Sequence, residues 1–325
     1  MKKKIHIAVI MGGPSSEHEV SLKSGENILR ALDKDAYEPT RVHITKKGVW
    51  SIDPKDLKHF IDCAFIALHG SYGEDGTVQG ILSDYGIPFT GSGALPSALG
   101  MNKFLSLQTF GGAGLNIPET ILIHKNEWRY NSEGVEKNIF YRMSLPFVVK
   151  PNREGSSVGV FIIRKKKDLE FALGNIFLFS KECLAQEFIE GREMTCGVLD
   201  YGWKESAFPL LPTEIIPREE AFFNYEAKYS PGASFEITPP QGLTSQKLKE
   251  IRNTALNAHL AIGASGMSRT DMILDSKGDI VVLEINTIPG LTEESLLPKA
   301  ALISGIQFSK LLDIMISSAF GNSPH

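Results

Sequence analysis

The sequence predicts an α/β protein: a small parallel sheet flanked by helices comes first, and antiparallel hairpins follow. Short apolar runs alternate with helix-like patterns through residue 89. Later apolar runs come in pairs joined by glycine-rich or polar turns, which is typical of hairpins. A chain of 325 residues with 42% hydrophobic side chains is also long enough to bury a core in more than one lobe.

The first lobe is predicted from alternating segments that end where small residues become frequent. In order they are a strand at 5–10, a helix at 16–32, a strand at 41–44, the apolar run "CAFIAL" at 63–68 and "GIPFTGSG" at 86–93. Glycine, serine and proline then accumulate in "TGSGALPSALGMNK" at 90–103, so we expect a boundary near residue 91.

The rest of the chain mixes strands and helices. We predict strands in 116–123, 182–189 and 194–199, hairpins at 146–163 and 267–286, helices at 167–178 and 245–262, loops at 126–138 and 222–243, and a terminal helix. The terminal helix carries an apolar stripe that we expect to face the core. The stripe consists of Leu302, Ile303, Ile306, Leu311, Leu312, Met315 and Ile316.

Composition argues for small-molecule chemistry. Lys and Arg number 34 against 38 Asp and Glu, a net charge of −4, without the basic excess expected of proteins that bind nucleic acid or an anionic membrane. Cys63, Cys183 and Cys196 lie far apart, which favours reduced thiols and a cytoplasmic location. No apolar stretch approaches the ~18 residues of a membrane span.

The turn "MGGPSSEHEVS" at 11–21 leads from the first strand into a helix. Helix starts reached through glycines usually bind anions, but this one carries Glu17 and Glu19. A carboxylate about 5 Å from a phosphate costs roughly 3 kcal/mol at an effective dielectric of ~20, against ~0.3–1 kcal/mol from the helix dipole. We therefore expect no phosphate here, and a capping box from Ser16 to Glu19 is the alternative to any ligand role.

The hairpin "VVKPNREGSSVGV" is the candidate phosphate site, because the chain has neither a Walker loop nor a complete dinucleotide fingerprint. Lys150 ends an apolar strand, and the loop 153–159 offers glycine backbone and serine hydroxyls that can close over a triphosphate. A plain surface hairpin is the alternative.

The hairpin "SRTDMILDSKGDIVVLEINTIPG" at 268–290 is the candidate metal site. Glu284 and Asn286 are two apart on a strand and share a face, with Asp271 near the opposite point of the partner strand. Three oxygen ligands on an apolar sheet suit Mg²⁺ and phosphoryl transfer. Carboxylates paired with Arg269 or with lysines are the alternative.

These strings, in this order, resemble the D-alanine–D-alanine ligases of the ATP-grasp superfamily. They are "GGPSSEHEVS", "HGSYGEDG", "KPNREGSSVGV", "EFIEGRE", "YEAKY", "RTD" and "LEINTIPGLTEESLLP", and they span nearly the whole chain. The resemblance implies three α/β lobes, 1–91, 92–185 and 186–325, with ATP between the central and C-terminal lobes. It also implies D-alanine between the first and third lobes.

The resemblance assigns nucleotide and metal contacts by position. ATP phosphates would be contacted by Lys103, Lys150, Ser157 and Lys228, the adenine edge by Gln186, Glu187 and Ile189, and the ribose by Glu193. Two Mg²⁺ ions, with Mn²⁺ as an alternative, would bind Asp271, Glu284 and Asn286, and a monovalent cation is a further expected cofactor.

It likewise assigns the groups around two D-alanine molecules. Arg269 and the N–H of Gly290 would form an oxyanion site, His69 would lie near the reacting carboxyl, and Ser295 and Leu296 would hold the second carboxylate. His69 as a structural side chain is the alternative. Glu17, Ser156 and Tyr229 would form one hydrogen-bonded set in which Glu17 binds the ammonium of the first D-alanine.

The implied activity is ATP-dependent synthesis of D-alanyl-D-alanine for peptidoglycan, through D-alanyl phosphate, by a cytoplasmic homodimer. Two positions depart from the family pattern: Gln186 stands where Glu is common, and Asn102 where Asp is common. A D-alanine–D-lactate ligase, another ATP-grasp carboxylate–amine ligase and an inactive ATP-binding regulator are the alternatives. Tyr229 favours the dipeptide over the depsipeptide.

Overall fold

The computed structural model describes residues 3–155, 159–203, 206–217 and 234–321. Their strands form three sheets that follow one another along the chain. The structure therefore has the predicted mixed α/β character, with a parallel sheet first.

The first sheet has three parallel strands in the order β2-β1-β3. Its elements are β1 (Ile5–Gly12), α1 (His18–Ala31), β2 (Tyr37–Ile44), α2 (Pro54–Leu57), β3 (Cys63–Ile66) and α3 (Thr77–Asp84). Gly12 ends β1 with a φ of 92°, and a Cβ there would lie 2.3 Å from the Ile44 carbonyl oxygen. Only glycine fits this exit from the sheet. The segment 86–93 adds a single parallel bridge, Ala64 to Phe89.

The second sheet is antiparallel, in the order β4-β7-β5-β6. This part of the chain contains α4 (Ala94–Met101), α5 (Lys103–Gly112), β4 (Thr120–His124), α6 (Lys125–Tyr130), α7 (Ser132–Arg142), β5 (Phe147–Pro151), β6 (Phe161–Ile163), α8 (Asp168–Ile176) and β7 (Glu182–Glu187). The predicted loop at 126–138 is wrong, because α6 and α7 occupy it. Asn131 caps α7 through the Gly134 N–H at 3.1 Å.

The third sheet is antiparallel, in the order β11-β10-β8-β12-β13, with β9 paired to β8. Its elements are β8 (Gly191–Leu199), β9 (Phe208–Pro209), β10 (Thr213–Pro217), β11 (Ser234–Ile237), α9 (Ser245–Ala261), β12 (Met267–Asp275) and β13 (Ile280–Asn286). Strand β11 lies inside the stretch 222–243 that we expected to be a loop, so that expectation is wrong for residues 234–237.

The chain ends in two helices, α10 (Leu296–Ile303) and α11 (Phe308–Gly321), rather than one. Gly305, with a φ of 88°, lies between them. The turn reorients the predicted stripe: Leu311, Leu312, Met315 and Ile316 are buried, but Leu302 and Ile303 are 53% and 52% exposed. The core prediction is therefore wrong for those two.

The buried side chains of α11 join the core of the first sheet, so the two ends of the chain share one core. No single helix in the described ranges is long and apolar enough to cross a membrane, although the bent pair α10 and α11 meets that test by length and composition alone.

Candidate active site

The hairpin of β12 and β13 brings four predicted side chains to one end of the third sheet. Asp271 lies opposite Glu284 in the strand register, and Arg269 lies opposite Asn286. Residues two apart on a strand point to the same face, so the four side chains share one surface. The register shifts between Asp271 and Met272, which ends the regular ladder directly after the carboxylate.

Cationic side chains balance the negative charges of Asp271 and Glu284. Arg269 donates to Asp271 from Nε at 3.0 Å and from Nη2 at 2.9 Å, and Lys103 Nζ lies 3.5 Å from Glu284 Oε2. Burial alone would raise the pKa of Glu284, but Lys103, Lys150 and Arg269 together lower it to about 2. Burial would lower the pKa of Arg269, but Asp271 and Glu284 outweigh it and raise that pKa. The pairing with Arg269 and a lysine, left open above, is thus present.

The donor atoms around Asp271 suit a hard cation. The predicted set offers two carboxylates and the amide oxygen of Asn286, which also accepts the Ile288 N–H at 2.8 Å. Such oxygen donors are those that Mg²⁺ prefers. Among the described residues, neither this hairpin nor any other part of the chain gathers three His, Cys, Asp or Glu side chains, so the third protein oxygen here is that of an amide.

Two buried lysines lie beside these carboxylates, one on a strand of the second sheet and one on helix α5, which packs against the third sheet. Lys150, at the end of β5, is 7% exposed, and Lys103, at the start of α5, is 9% exposed. Burial is the largest cause that lowers the pKa of Lys150 to about 8; Glu284 and Asp271 oppose the shift, and nearby Lys103 adds to it. Lys103 Nζ donates to the Glu154 carbonyl at 2.6 Å, which ties it to the base of the loop 153–159.

Glu17 lies at the start of α1, beside two glycines from other parts of the fold. A Cβ on Gly70 would lie 3.1 Å from Glu17 Oε2, and one on Gly155 would lie 3.8 Å from Glu17 Oε1. The carboxylate therefore sits between the first lobe and the loop 153–159. The capping-box prediction is wrong: the N-cap is Glu17, and it makes no side-chain cap bond.

His69 is buried at the carboxyl end of the first sheet and bridges distant segments. Its Nε2 lies 2.9 Å from Ser24 Oγ, and its Nδ1 lies 3.3 Å from the Ile288 carbonyl oxygen and 3.9 Å from Glu74 Oε1. Burial lowers the pKa of His69 and raises that of Glu74 to about 8. Burial penalises both charges, so we treat the pair as neutral rather than ionic. The sequence showed Glu74 among glycines but indicated no role for it.

The segment before α10 places Gly290 against Ser295. A Cβ on Gly290 would lie 2.6 Å from Ser295 Oγ, so a side chain at 290 would force Ser295 Oγ to move. Ser295 Oγ lies 2.8 Å from Thr292 Oγ1, accepts the Thr292 N–H at 3.1 Å and makes no cap bond to α10. Leu296 begins the helix and is partly buried.

The predicted adenine edge follows β7 into β8. Gln186 is 2% exposed and donates from Nε2 to Thr120 Oγ1 at 3.1 Å, while Glu187 is exposed and accepts the Glu119 N–H at 3.2 Å. Glu193 and Ile189 are partly buried. The side chain of Glu187 and its N–H, which donates to the Glu119 carbonyl at 2.9 Å, are thus both engaged with the strand edge.

Four predicted residues lie outside the described residues: Ser156, Ser157, Lys228 and Tyr229. Their assignments stay predictions.

Comparison with known proteins identifies the family. The model described as "D-ala D-ala ligase C-terminus" matches residues 109–317, and the one described as "D-ala D-ala ligase N-terminus" matches residues 6–60 and 52–92. The chain belongs to the D-alanine–D-alanine ligase family.

Relatives of this family match over nearly the full length. The D-alanine–D-alanine ligase of Syntrophobacter fumaroxidans is 43% identical over 325 residues, covering 98% of each chain. The D-alanine–D-alanine ligase of Bacillus anthracis, solved in complex with ATP, has a TM-score of 0.81 at 35% identity, covering 98% of each chain. The VanG D-Ala:D-Ser ligase of Enterococcus faecalis has a TM-score of 0.84 at 29% identity, covering 98% of this chain and all of that one.

Proposed function

We propose that this chain joins two D-alanine molecules with the hydrolysis of ATP to ADP and phosphate, giving D-alanyl-D-alanine for peptidoglycan. One observation carries the proposal: Lys103, Lys150 and Arg269 converge on Asp271 and Glu284 at the end of one hairpin. Phosphoryl transfer needs such a cluster, because charge on the transferring group must be neutralised and positioned. Membership of the D-alanine–D-alanine ligase family indicates that D-alanine is the substrate.

ATP would lie between the second and third sheets, in the three-lobed arrangement 1–91, 92–185 and 186–325. Lys103 and Lys150 would hold its phosphates together with Ser157 and Lys228, the 186–189 segment would take the adenine, and Glu193 the ribose. Asp271, Glu284 and Asn286 would bind two Mg²⁺ ions, or Mn²⁺. When bound, these ions supply charge neutralisation on the phosphates; a monovalent cation is a further proposed cofactor.

The first step would transfer the γ-phosphoryl group to the carboxylate of the first D-alanine, forming D-alanyl phosphate and ADP. Glu17 would accept hydrogen bonds from the ammonium of that D-alanine, within a set completed by Ser156 and Tyr229. His69, neutral and with its ring nitrogens engaged by Ser24 and the Ile288 carbonyl, would lie near the reacting carboxyl and hold these segments there without adding charge.

In the second step the free amine of the second D-alanine would attack the acyl carbon, and phosphate would leave as the C–O bond breaks. Arg269 uses two N–H groups on Asp271, and a guanidinium has five, so donors remain for the oxyanion beside the Gly290 N–H. Ser295 and Leu296 would bind the second carboxylate at the start of α10.

Substrate choice is tested by incubating the protein with ATP, Mg²⁺ and different candidate substrates. We expect phosphate release with D-alanine alone and a dipeptide by mass spectrometry, little release with L-alanine, and no preference for D-lactate or D-serine over D-alanine as acceptor. A preference for D-lactate or D-serine would assign the chain to another ligase type, and no turnover with any pair of substrates would favour an inactive ATP-binding regulator.

A homodimer and a cytoplasmic location are further proposals. The cytoplasmic location is supported by three buried free cysteines.

A further inference from the structure

Asn152 makes more contacts at the candidate phosphate site than any role given to it so far explains. It follows Lys150 by two residues, its side chain is fully buried, and it lies between helix α5 and strand β7. In the sequence it directly precedes the candidate phosphate loop 153–159, where no pattern indicated a role for it.

Asn152 and Asn102 together accept hydrogen bonds from the first backbone N–H groups of helix α5. The Lys103 N–H donates to the Asn152 carbonyl at 3.1 Å, and the Phe104 N–H donates to Asn152 Oδ1 at 2.9 Å. The Leu105 N–H donates to Asn102 Oδ1 at 3.1 Å. The N–H groups that would make this helix start an anion site are therefore occupied. The group that the start of α5 can offer to a phosphate is the Lys103 ammonium.

The amide nitrogen of Asn152 ties this cap to the neighbouring strand. Asn152 Nδ2 donates to Asn102 Oδ1 at 3.0 Å and to Glu182 Oε2 at 2.7 Å, and the Asn152 N–H donates to the Glu182 carbonyl at 3.2 Å. Both hydrogens and the oxygen of the Asn152 amide are thus used, two of the bonds at the start of α5 and one on β7. Only a carboxamide supplies one acceptor and two donors in this arrangement.

We infer that Asn152 is a positioning residue that fixes Lys103 relative to Lys150. Asn152 directly follows strand β5, on which Lys150 lies, and it caps the helix that Lys103 begins, so this one side chain links the positions of the two lysines. Lys103 lies near enough to help lower the pKa of Lys150, and Glu284 offsets only part of this repulsion between like charges. The bonds of Asn152 restrain the two lysines in addition to Glu284. The inference rests on the proposed role of both lysines in holding ATP.

The role also explains the departure at Asn102. An amide oxygen caps α5 and accepts from Asn152 as well as a carboxylate would, but it adds no negative charge beside Lys103. With Asn102 neutral, Glu284 is the carboxylate in ion-pair range of that lysine among the described residues. The pair Asn102 and Asn152 therefore keeps the ammonium available to a phosphate.

The test is Asn152→Ala, with Asn131→Ala as the matched control. Asn131 also caps a helix of the same part of the chain, α7, but it touches neither lysine. We expect Asn152→Ala to raise the KM for ATP about tenfold, the size associated with one charge-assisted hydrogen bond, with the KM for D-alanine within about twofold of wild type. Asn131→Ala should lower the Tm and leave both KM values unchanged.

A purely structural role of Asn152 predicts that Tm and kcat change while the KM for ATP does not. If Asn152→Ala lowers the Tm and kcat but leaves the KM for ATP unchanged, the positioning role is wrong. Asn102→Ala removes one partner of Asn152 and should raise the KM for ATP by a smaller factor, which keeps the test available if Asn152→Ala does not fold. Titration calorimetry with ATP separates this inference from the proposed function: an unchanged Kd in both variants contradicts positioning even if the wild type forms no dipeptide.

Discussion

At the scale of single residues, the sequence predicted which charged groups meet but not how they pair. Asp271, Glu284 and Asn286 follow from strand alternation within one hairpin. Arg269 and lysines were named as alternative partners, but the sequence did not indicate which carboxylate each would meet, because Lys103 comes from a helix distant in sequence and Arg269 pairs with Asp271 on its own strand. The sequence indicated no role for Glu74, because its raised pKa depends on burial, which no local pattern encodes.

Glu284→Gln tests the carboxylate at the centre of this cluster. The change removes a charge that balances three cations, so turnover should fall roughly 100-fold or more and require higher Mg²⁺. Steady-state phosphate release over a Mg²⁺ series measures both. Asp279→Asn, an exposed carboxylate in the turn of the same hairpin, should behave as wild type, and near-normal turnover in Glu284→Gln would refute the assignment.

Glu17→Gln tests the ammonium site. Charge-assisted hydrogen bonds contribute ~1.5–3 kcal/mol, so the apparent affinity for the first D-alanine should fall roughly 10- to 150-fold with ATP affinity little changed. Glu19→Gln is the control, since Glu19 is exposed and paired with Lys46 at 3.1 Å. Weakened ATP binding with unchanged D-alanine binding would mean that the helix start serves phosphate instead.

At the scale of elements, strong apolar patterns were predictive and weak ones were not. The parallel strands and both hairpins are confirmed because long apolar runs and glycine turns define them. Helices α6 and α7 were missed because only Val135 and Ile139 are buried along α7 and none along α6. Their helical state depends on caps, the Glu133–Lys137 pair at 2.7 Å and packing on the sheet.

Helix α9 carries a buried histidine that should make stability pH-dependent. His259 Nδ1 lies 2.8 Å from Ser268 Oγ on β12, and burial lowers the pKa of His259 from 6.5 to about 4. The unfolded state then binds the proton first, so stability is complete above pH 6.5 and is lost as the pH falls toward 4, by roughly 3 kcal/mol.

Urea unfolding between pH 7 and 4 measures this loss. His259→Gln should flatten the slope relative to wild type, whatever its absolute stability, whereas His59→Gln at an exposed site should not. Parallel slopes for wild type and His259→Gln would show that His259 does not titrate in that window.

At the scale of the whole molecule, the C-terminal helices complete the core of the N-terminal sheet. The sequence predicted an apolar stripe but could not place it, because the bend at Gly305 decides which side chains face inward. The division into lobes at 91 and 185 follows composition and family resemblance, whereas the shared core is a property of packing alone.

Leu312→Ala tests the shared core. Leu312 is fully buried among residues from both ends of the chain, so the substitution should cost about 2–5 kcal/mol of unfolding free energy. Leu302→Ala, 53% exposed on α10, should change stability by about 0.5 kcal/mol or less. Equal effects of the two substitutions in urea titrations would contradict the core as described.

The most direct test of the proposed chemistry follows the carboxylate oxygens of D-alanine. With both oxygens labelled as ¹⁸O, transfer of the γ-phosphoryl group to the first D-alanine puts one labelled oxygen between carbon and phosphorus. Amine attack then breaks the C–O bond, so each phosphate released should carry one ¹⁸O, and the new peptide carbonyl should keep the other. Mass spectrometry measures the ¹⁸O content of the released phosphate and of the dipeptide. Dipeptide formed with unlabelled phosphate would contradict the acyl phosphate route.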